Sequence, residues 1–228
     1  MSYHPDEALL KHYALGEVDA TQGLALAVHL ESCPRCRHKV ATYERALGDA
    51  FLTQSGDVQV TAPLADDVLD TMFDSIVALP QHEESTVKLA AKPKKVCVNN
   101  RTFILPKALA AFHDRIGPWR SYGGKVFSAV VDLDEPSRVN LMYMAPGVTV
   151  PQHTHKGLES TLVLHGGFSD EDGHYEVGDF LLKDASVKHS PATASEEDCL
   201  CLSVLTEPML FTQGVARLFN MFGKGLYP

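Results

Sequence analysis

The chain has 228 residues, 45% hydrophobic and 21% charged, an ordinary balance for a protein that packs its core in one large domain or two small ones. Its net charge of −9 argues against direct nucleic-acid binding, and charges interrupt every apolar run before the roughly eighteen residues a membrane span needs. The opening residues lack a basic stretch followed by an apolar one, so a cytoplasmic protein is expected. The five cysteines, Cys33, Cys36, Cys97, Cys199 and Cys201, then point to metal or redox roles rather than to disulfides.

The acid is concentrated at the start. Residues 1–80 hold five Lys/Arg and twelve Asp/Glu, a net −7 that leaves −2 for the rest and suits a basic protein partner. The same residues read as helical. Asp19 is placed to cap a helix over "ATQGLALAVHL", and "CRHKVATYERALGDAFL" sets Val40, Tyr43, Leu47, Ala50 and Phe51 along one face. After a loop over "TQSGDVQVTAP", the run "LADDVLDTMFDSIVAL" carries Leu64, Val68, Leu69, Met72, Phe73, Ile76 and Val77 on one side with aspartates between them. That stripe either completes a four-helix core or meets a partner.

Within these helices "HLESCPRC" spaces His29, Cys33 and Cys36. If His29 ends one helix and the cysteines open the next, one imidazole and two thiolates converge on a tetrahedral ion, with Pro34 fitting a first helical position. His4, just before the first helix, is better placed for the fourth ligand than His12 or His38, which fall inside helices. The expectation is Cys2His2 zinc, whose binding adds folding free energy to a small module. A redox dithiol is the competing reading, and it wants a βαβ setting that this helical segment lacks.

Residues 81–95 have the polar composition of a linker. Beyond them "KVCVNNRTFILP", "KVFSAVVDL", "VNLMYMAPGVTV", "STLVLHGGF", "YEVGDFLL" and "CLCLSVLTEPMLF" are short strand-like runs parted by Asn-Asn, Gly-Gly, Pro and Asp-Gly turns, the pattern of an all-β sandwich or barrel. His153 and His155 alternate onto one strand face, about 7 Å apart. Gly157 permits a bend, and Glu159 opens the next strand. His189 follows downstream, and three imidazoles with a carboxylate suit a divalent transition metal. Cys199 and Cys201 also share a face, either as small buried apolar residues or as a thiol pair that answers to an oxidant.

The spacing from Gly147 through His153-x-His155 and Glu159 to Gly166 resembles the first cupin motif. A second motif follows from Gly178 to His189, with Asp184, Ser186 and Thr193 at its usual Pro, Gly and Asn positions. The resemblance implies a cupin barrel of about 130 residues with His153, His155, Glu159 and His189 facing its interior. Together with His4, His29, Cys33 and Cys36 upstream, the whole chain resembles the ChrR family of anti-sigma factors, in which Cys199-x-Cys201 also finds a counterpart.

That resemblance implies a multidomain chain, α then all-β: a zinc-bound helical anti-sigma module of three to four helices over 1–80, a linker over 81–95 and a cupin β-barrel over 96–228. It implies a bacterial regulator that sequesters an extracytoplasmic-function (group IV) sigma factor and releases it on oxidative stress of the singlet-oxygen or organic-hydroperoxide type. Zn2+ is implied in the first module. In the cupin a divalent transition metal is implied, zinc before Fe, Mn or Ni. No direct nucleic-acid or membrane partner is implied, and self-association through the cupin stays open. Val68, Leu69, Met72, Phe73 and Ile76 are the expected partner contacts. Two other readings compete: a metal-dependent, dioxygenase-like cupin enzyme with a zinc-bound oligomerisation domain, and an inert small-molecule-binding cupin. No general acid or base stands out beyond the ligands.

Overall fold

The computed structural model describes residues 1–54, 66–79, 92–213 and 217. The expected loop after Gln54, Leu64 and residues 81–91 of the expected linker over 81–95 lie outside the described residues. The chain divides into two compact units, Met1–Glu44 with Pro93–Pro228, and Arg45–Lys92.

In the first unit, α1 (Glu7–Ala14) starts where the Asp6 carboxylate accepts from the Leu9 amide at 2.7 Å. It ends at Gly16, whose φ of 69° lets the chain turn away. Helix α2 (Ala20–Ser32) is capped the same way by Asp19, which accepts from the Gln22 amide at 2.8 Å. It buries Leu24, Leu26, Val28, His29 and Leu30, which is more than one stripe, because it packs against the β-sheet as well as against α1. Helix α3 (Pro34–Gln54) begins at Pro34, where a missing N–H costs nothing.

The β part opens with a hairpin of β1 (Lys95–Val98) and β2 (Arg101–Ile104). Asn99 and Asn100 take φ of 47° and 59°, the left-handed pair that a two-residue hairpin turn needs. After the short α5 (Lys107–Ala110) come β3 (Arg120–Tyr122), β4 (Val126–Val131), β5 (Arg138–Met144), β6 (His153–His155), β7 (Glu159–Ser169), β8 (His174–Glu176), β9 (Phe180–Lys183), β10 (Cys199–Leu205) and β11 (Met209–Phe211). Seven of them form one antiparallel sheet in the order β3-β4-β5-β10-β7-β8, with β9 also on β7. Strands β6 and β11 form a separate ribbon. The cupin-like sheet is therefore open among the described residues, where the resemblance had implied a barrel. The ribbon meets the rest through a bridge between His153 and His189 instead of a full ladder.

Strand β10 lies at the centre of this sheet and all seven of its residues are buried. Leu200, Leu202 and Val204 belong to the core that includes Leu24, Leu26 and Val28 of α2. Cys199 and Cys201 belong to a second core with Met144, Val150, Val163 and Phe168. One face of the sheet thus meets the helices and the other encloses the interior that holds the histidines.

The second unit contains the C-terminal part of α3 and α4 (Asp66–Val77). On α4 the apolar stripe is open, from 41% exposure at Val68 to 68% at Phe73, and Leu69, Met72, Ile76 and Val77 fall between or near these values. Among the described residues no helix is long and apolar enough to cross a membrane.

Candidate metal centres

Two clusters of donors form, one from each expected set. The first comprises His4, His29, Cys33 and Cys36, with one donor atom from each all within 4.8 Å of one another. Helix α2 delivers His29 in its last turn, the break before Pro34 delivers Cys33, and the first turn of α3 delivers Cys36. His4 Nδ1 lies 3.4 Å from Cys33 Sγ and 3.5 Å from Cys36 Sγ, and the Cys36 amide donates to Cys33 Sγ at 3.4 Å. His29 Nδ1 meets the Gly178 carbonyl oxygen at 2.9 Å, so Nδ1 carries the proton; its buried Nε2 has no hydrogen-bond partner. Burial pushes both imidazoles below their ordinary pKa, His4 with help from Arg35, which keeps them neutral as ligands must be. Burial and the hydrogen bond with Cys33 push the Cys36 thiol up to about 11 in the absence of a cation. Two thiols, two neutral imidazoles and an unpartnered buried nitrogen fit a tetrahedral metal ion.

His12 and His38 stay outside this cluster. His12 pairs with Glu17 at 2.8 Å, and His38 is exposed on α3.

The second cluster joins His153 and His155 from β6, Glu159 from the start of β7, and His189, again within 4.8 Å and all buried. His155 Nε2 is 2.8 Å from Glu159 Oε2 and 3.3 Å from His189 Nε2, and His189 Nε2 is 3.6 Å from the same carboxylate oxygen. Two ring nitrogens that face each other across a carboxylate oxygen fit a shared cation. His153 Nδ1 donates to the Pro151 carbonyl at 3.0 Å, which turns its other nitrogen inward. Burial, with the neighbouring His189, pushes His153 down to about 4. Burial alone would raise Glu159, but the hydrogen bond from His155 and the surrounding imidazoles bring it to about 2. The donors are neutral nitrogens and an ionised oxygen, a set that suits a divalent transition metal.

The sequence pattern did not reveal the partners that hold these ligands. Ser203 Oγ donates to Glu159 Oε1 at 3.1 Å. The Asp170 side chain is fully buried and accepts from His189 Nδ1 at 3.1 Å, from Lys183 Nζ at 2.9 Å and from the Tyr175 hydroxyl at 2.9 Å. Burial would raise Asp170, but these hydrogen bonds hold it well below the usual carboxylate range. Asp170 reads as a turn residue in "SDEDG", and only the strand register aims it at His189. The departures in the second motif are absorbed locally. Asp184 accepts from the Ser186 amide at 2.9 Å, and Thr193 is buried with its hydroxyl donating to the Ala145 carbonyl at 2.7 Å.

Cys199 and Cys201 are free thiols 3.3 Å apart on one face of β10, where the register with β7 shifts between Leu200 and Cys201. Cys201 lines the interior beside His153, Glu159 and His189. The neighbouring Cys201 and burial keep the Cys199 thiol protonated, well above its ordinary range. An apolar cavity of about 710 Å³ adjoins this interior through Met142, Val150 and Met209. His165 lies apart from the cluster, against Phe103 and 3.3 Å from Asp198. His113 and His174 are involved in surface pairs with Asp114 and Ser169, and His82 lies outside the described residues.

Residues 113–208 match the family described as the ChrR cupin-like domain. Over 226 residues the chain is 28% identical to the anti-sigma-E factor ChrR of Cereibacter sphaeroides, spanning 96% of this chain and 97% of that protein. Among solved structures it is similar to that of Rhodobacter sphaeroides SigE in complex with the anti-sigma ChrR, with a TM-score of 0.62 and 27% identity over 89% of this chain and 98% of that one. The two clusters, their order along the chain and these likenesses agree: the chain is similar to a ChrR anti-sigma factor over nearly its whole length, and its C-terminal part matches the ChrR cupin-like family.

Proposed function

We propose that the chain is a cytoplasmic anti-sigma factor that sequesters an extracytoplasmic-function sigma factor. The observation that carries this reading is the similarity across both modules to a protein whose solved structure is a complex with SigE. In this reading residues 1–80 form the gripping module, 81–95 the joint and 96–228 the sensor. Zn2+ is held by His4, His29, Cys33 and Cys36, and a divalent metal, zinc before Fe, Mn or Ni, by His153, His155, Glu159 and His189. Val68, Leu69, Met72, Phe73 and Ile76 supply apolar contact to the sigma factor, and the acidic module around them complements its basic surfaces. Oxidative stress, sensed at the cupin metal or at Cys199 and Cys201, lowers the affinity and frees the partner.

Co-purification of a sigma factor with the full chain tests the assignment. The complex is lost with Cys36→Ala and kept with His153→Ala, which instead abolishes release under oxidant. Equal retention in both variants sinks the role given to the first cluster.

A second reading, a metal-dependent oxygenase-like enzyme, is favoured by one observation, the large apolar cavity adjoining three imidazoles and a carboxylate. Under it the Fe(II)-loaded protein consumes dioxygen with an apolar organic substrate, and His153→Ala stops the uptake.

A further inference from the structure

The first cluster is assembled mainly by helices, yet two of its four donors are supported by the cupin. His29 has its proton fixed on Nδ1 by the Gly178 carbonyl, 149 residues away in sequence. His4 lies ahead of α1, in a segment held by the turn that joins β8 to β9. Ser2 and Tyr3 donate their backbone N–H groups to Asp179 Oδ1 at 2.6 and 3.0 Å, and the Phe180 amide donates to the Tyr3 carbonyl at 3.1 Å. The other carboxylate oxygen of Asp179 accepts from the Glu176 amide at 2.9 Å, so the side chain ties the segment carrying His4 to its own turn. The Tyr3 ring packs edge-on against Tyr175 at 4.8 Å. Tyr175 in turn donates to Asp170, the partner of His189.

We propose that the β8–β9 turn is the outer shell of the first metal site. The Gly178 carbonyl orients His29 and the Asp179 carboxylate holds the segment that carries His4, so the cupin sets how firmly the metal of the helical module is bound. Partners of this kind fix the ring orientation of a ligand and its basicity, and their loss typically costs about ten- to a hundredfold in metal affinity. Gly178 and Asp179 open the second cupin motif, so this piece of the cupin has a second duty toward a site in another module. The proposal rests on reading the first cluster as a metal site.

Cobalt(II) loaded into the full chain provides the test, because only the first cluster has sulfur among its four donors and gives thiolate-to-cobalt charge-transfer absorption. The decay of that band in excess EDTA is compared between the wild type, Asp179→Asn, Tyr3→Ala and the control Glu176→Gln, whose exposed side chain makes none of these contacts. The expected result is decay about tenfold faster in Asp179→Asn, a change in the same direction in Tyr3→Ala, and no change in the control. Decay at the wild-type rate in both test variants overturns the proposal. If Asp179→Asn does not fold, Asp179→Glu, which keeps a carboxylate but moves it off the Ser2 and Tyr3 amides, decides in its place. Absence of the band in the wild type overturns the metal reading instead.

Discussion

Cys36 sits buried beside Cys33, and its thiol is pushed up to about 11, so in the metal-free protein it holds its proton at neutral pH. Zinc must displace that proton. The apparent zinc affinity therefore rises with pH through the neutral range, by about tenfold per unit for each proton released, which competition with a chelator at several pH values measures. In the metal-free protein the raised value has the opposite consequence for stability. The folded state binds the proton more tightly, so stability falls as pH rises from about 9 towards 11. His153 titrates in the other direction. Its value is lowered to about 4, so the unfolded chain binds more protons between pH 6.5 and 4, and the metal-free protein loses stability as pH falls across that window. The loss is of order 3 kcal/mol. A thermal-unfolding series on metal-free protein checks it, and a midpoint flat from pH 6.5 to 4 contradicts it.

At the scale of elements, α4 is the part whose chemistry is least satisfied by its own unit, with a continuous apolar stripe exposed beside Asp67, Asp70 and Asp74. If the proposed function holds, placing charge on that stripe with Met72→Asp and Phe73→Asp weakens sigma-factor binding at least about tenfold, since each buried apolar side chain contributes about 1.5–3 kcal/mol. Titration calorimetry reads the affinity, and helix content by circular dichroism shows that α4 persists. The helices and most strands were legible in the sequence because their signals are local: Asp19 as a cap, Pro34 as a start, Asn99-Asn100 as a turn. The convergence of His153, His155 and Glu159 was legible for a similar reason, strand alternation followed by one bend. Asp170, Asp179 and Ser203 were not, because strand pairing and register choose their partners across long stretches of chain. The open sheet was equally hidden, since alternation along a strand carries no information on whether its edges meet.

For the whole molecule, most of the charge is carried by the first eighty residues, a net −7 of the total −9. Under the proposed function, association with a basic sigma surface is steered by charge, and its rate constant is expected to fall as ionic strength rises from about 0.05 to 0.5 M, with a smaller change in dissociation. Stopped-flow mixing at several salt concentrations measures both, and a salt-independent association rate argues against the acidic module as the contact.

Strand β10 has one further consequence, for how the protein can vary over evolution. Its alternate residues pack towards the helices and towards the interior, so the strand has no weather side. A typical half-exposed strand accepts neutral drift at every second position, but here each of the seven residues is answerable to a different neighbour. A saturation library across Cys199–Leu205 would therefore show a solid block of intolerance instead of the usual alternation, and lineages that alter one side of the strand should carry compensating changes in α2 or in the lining of the interior.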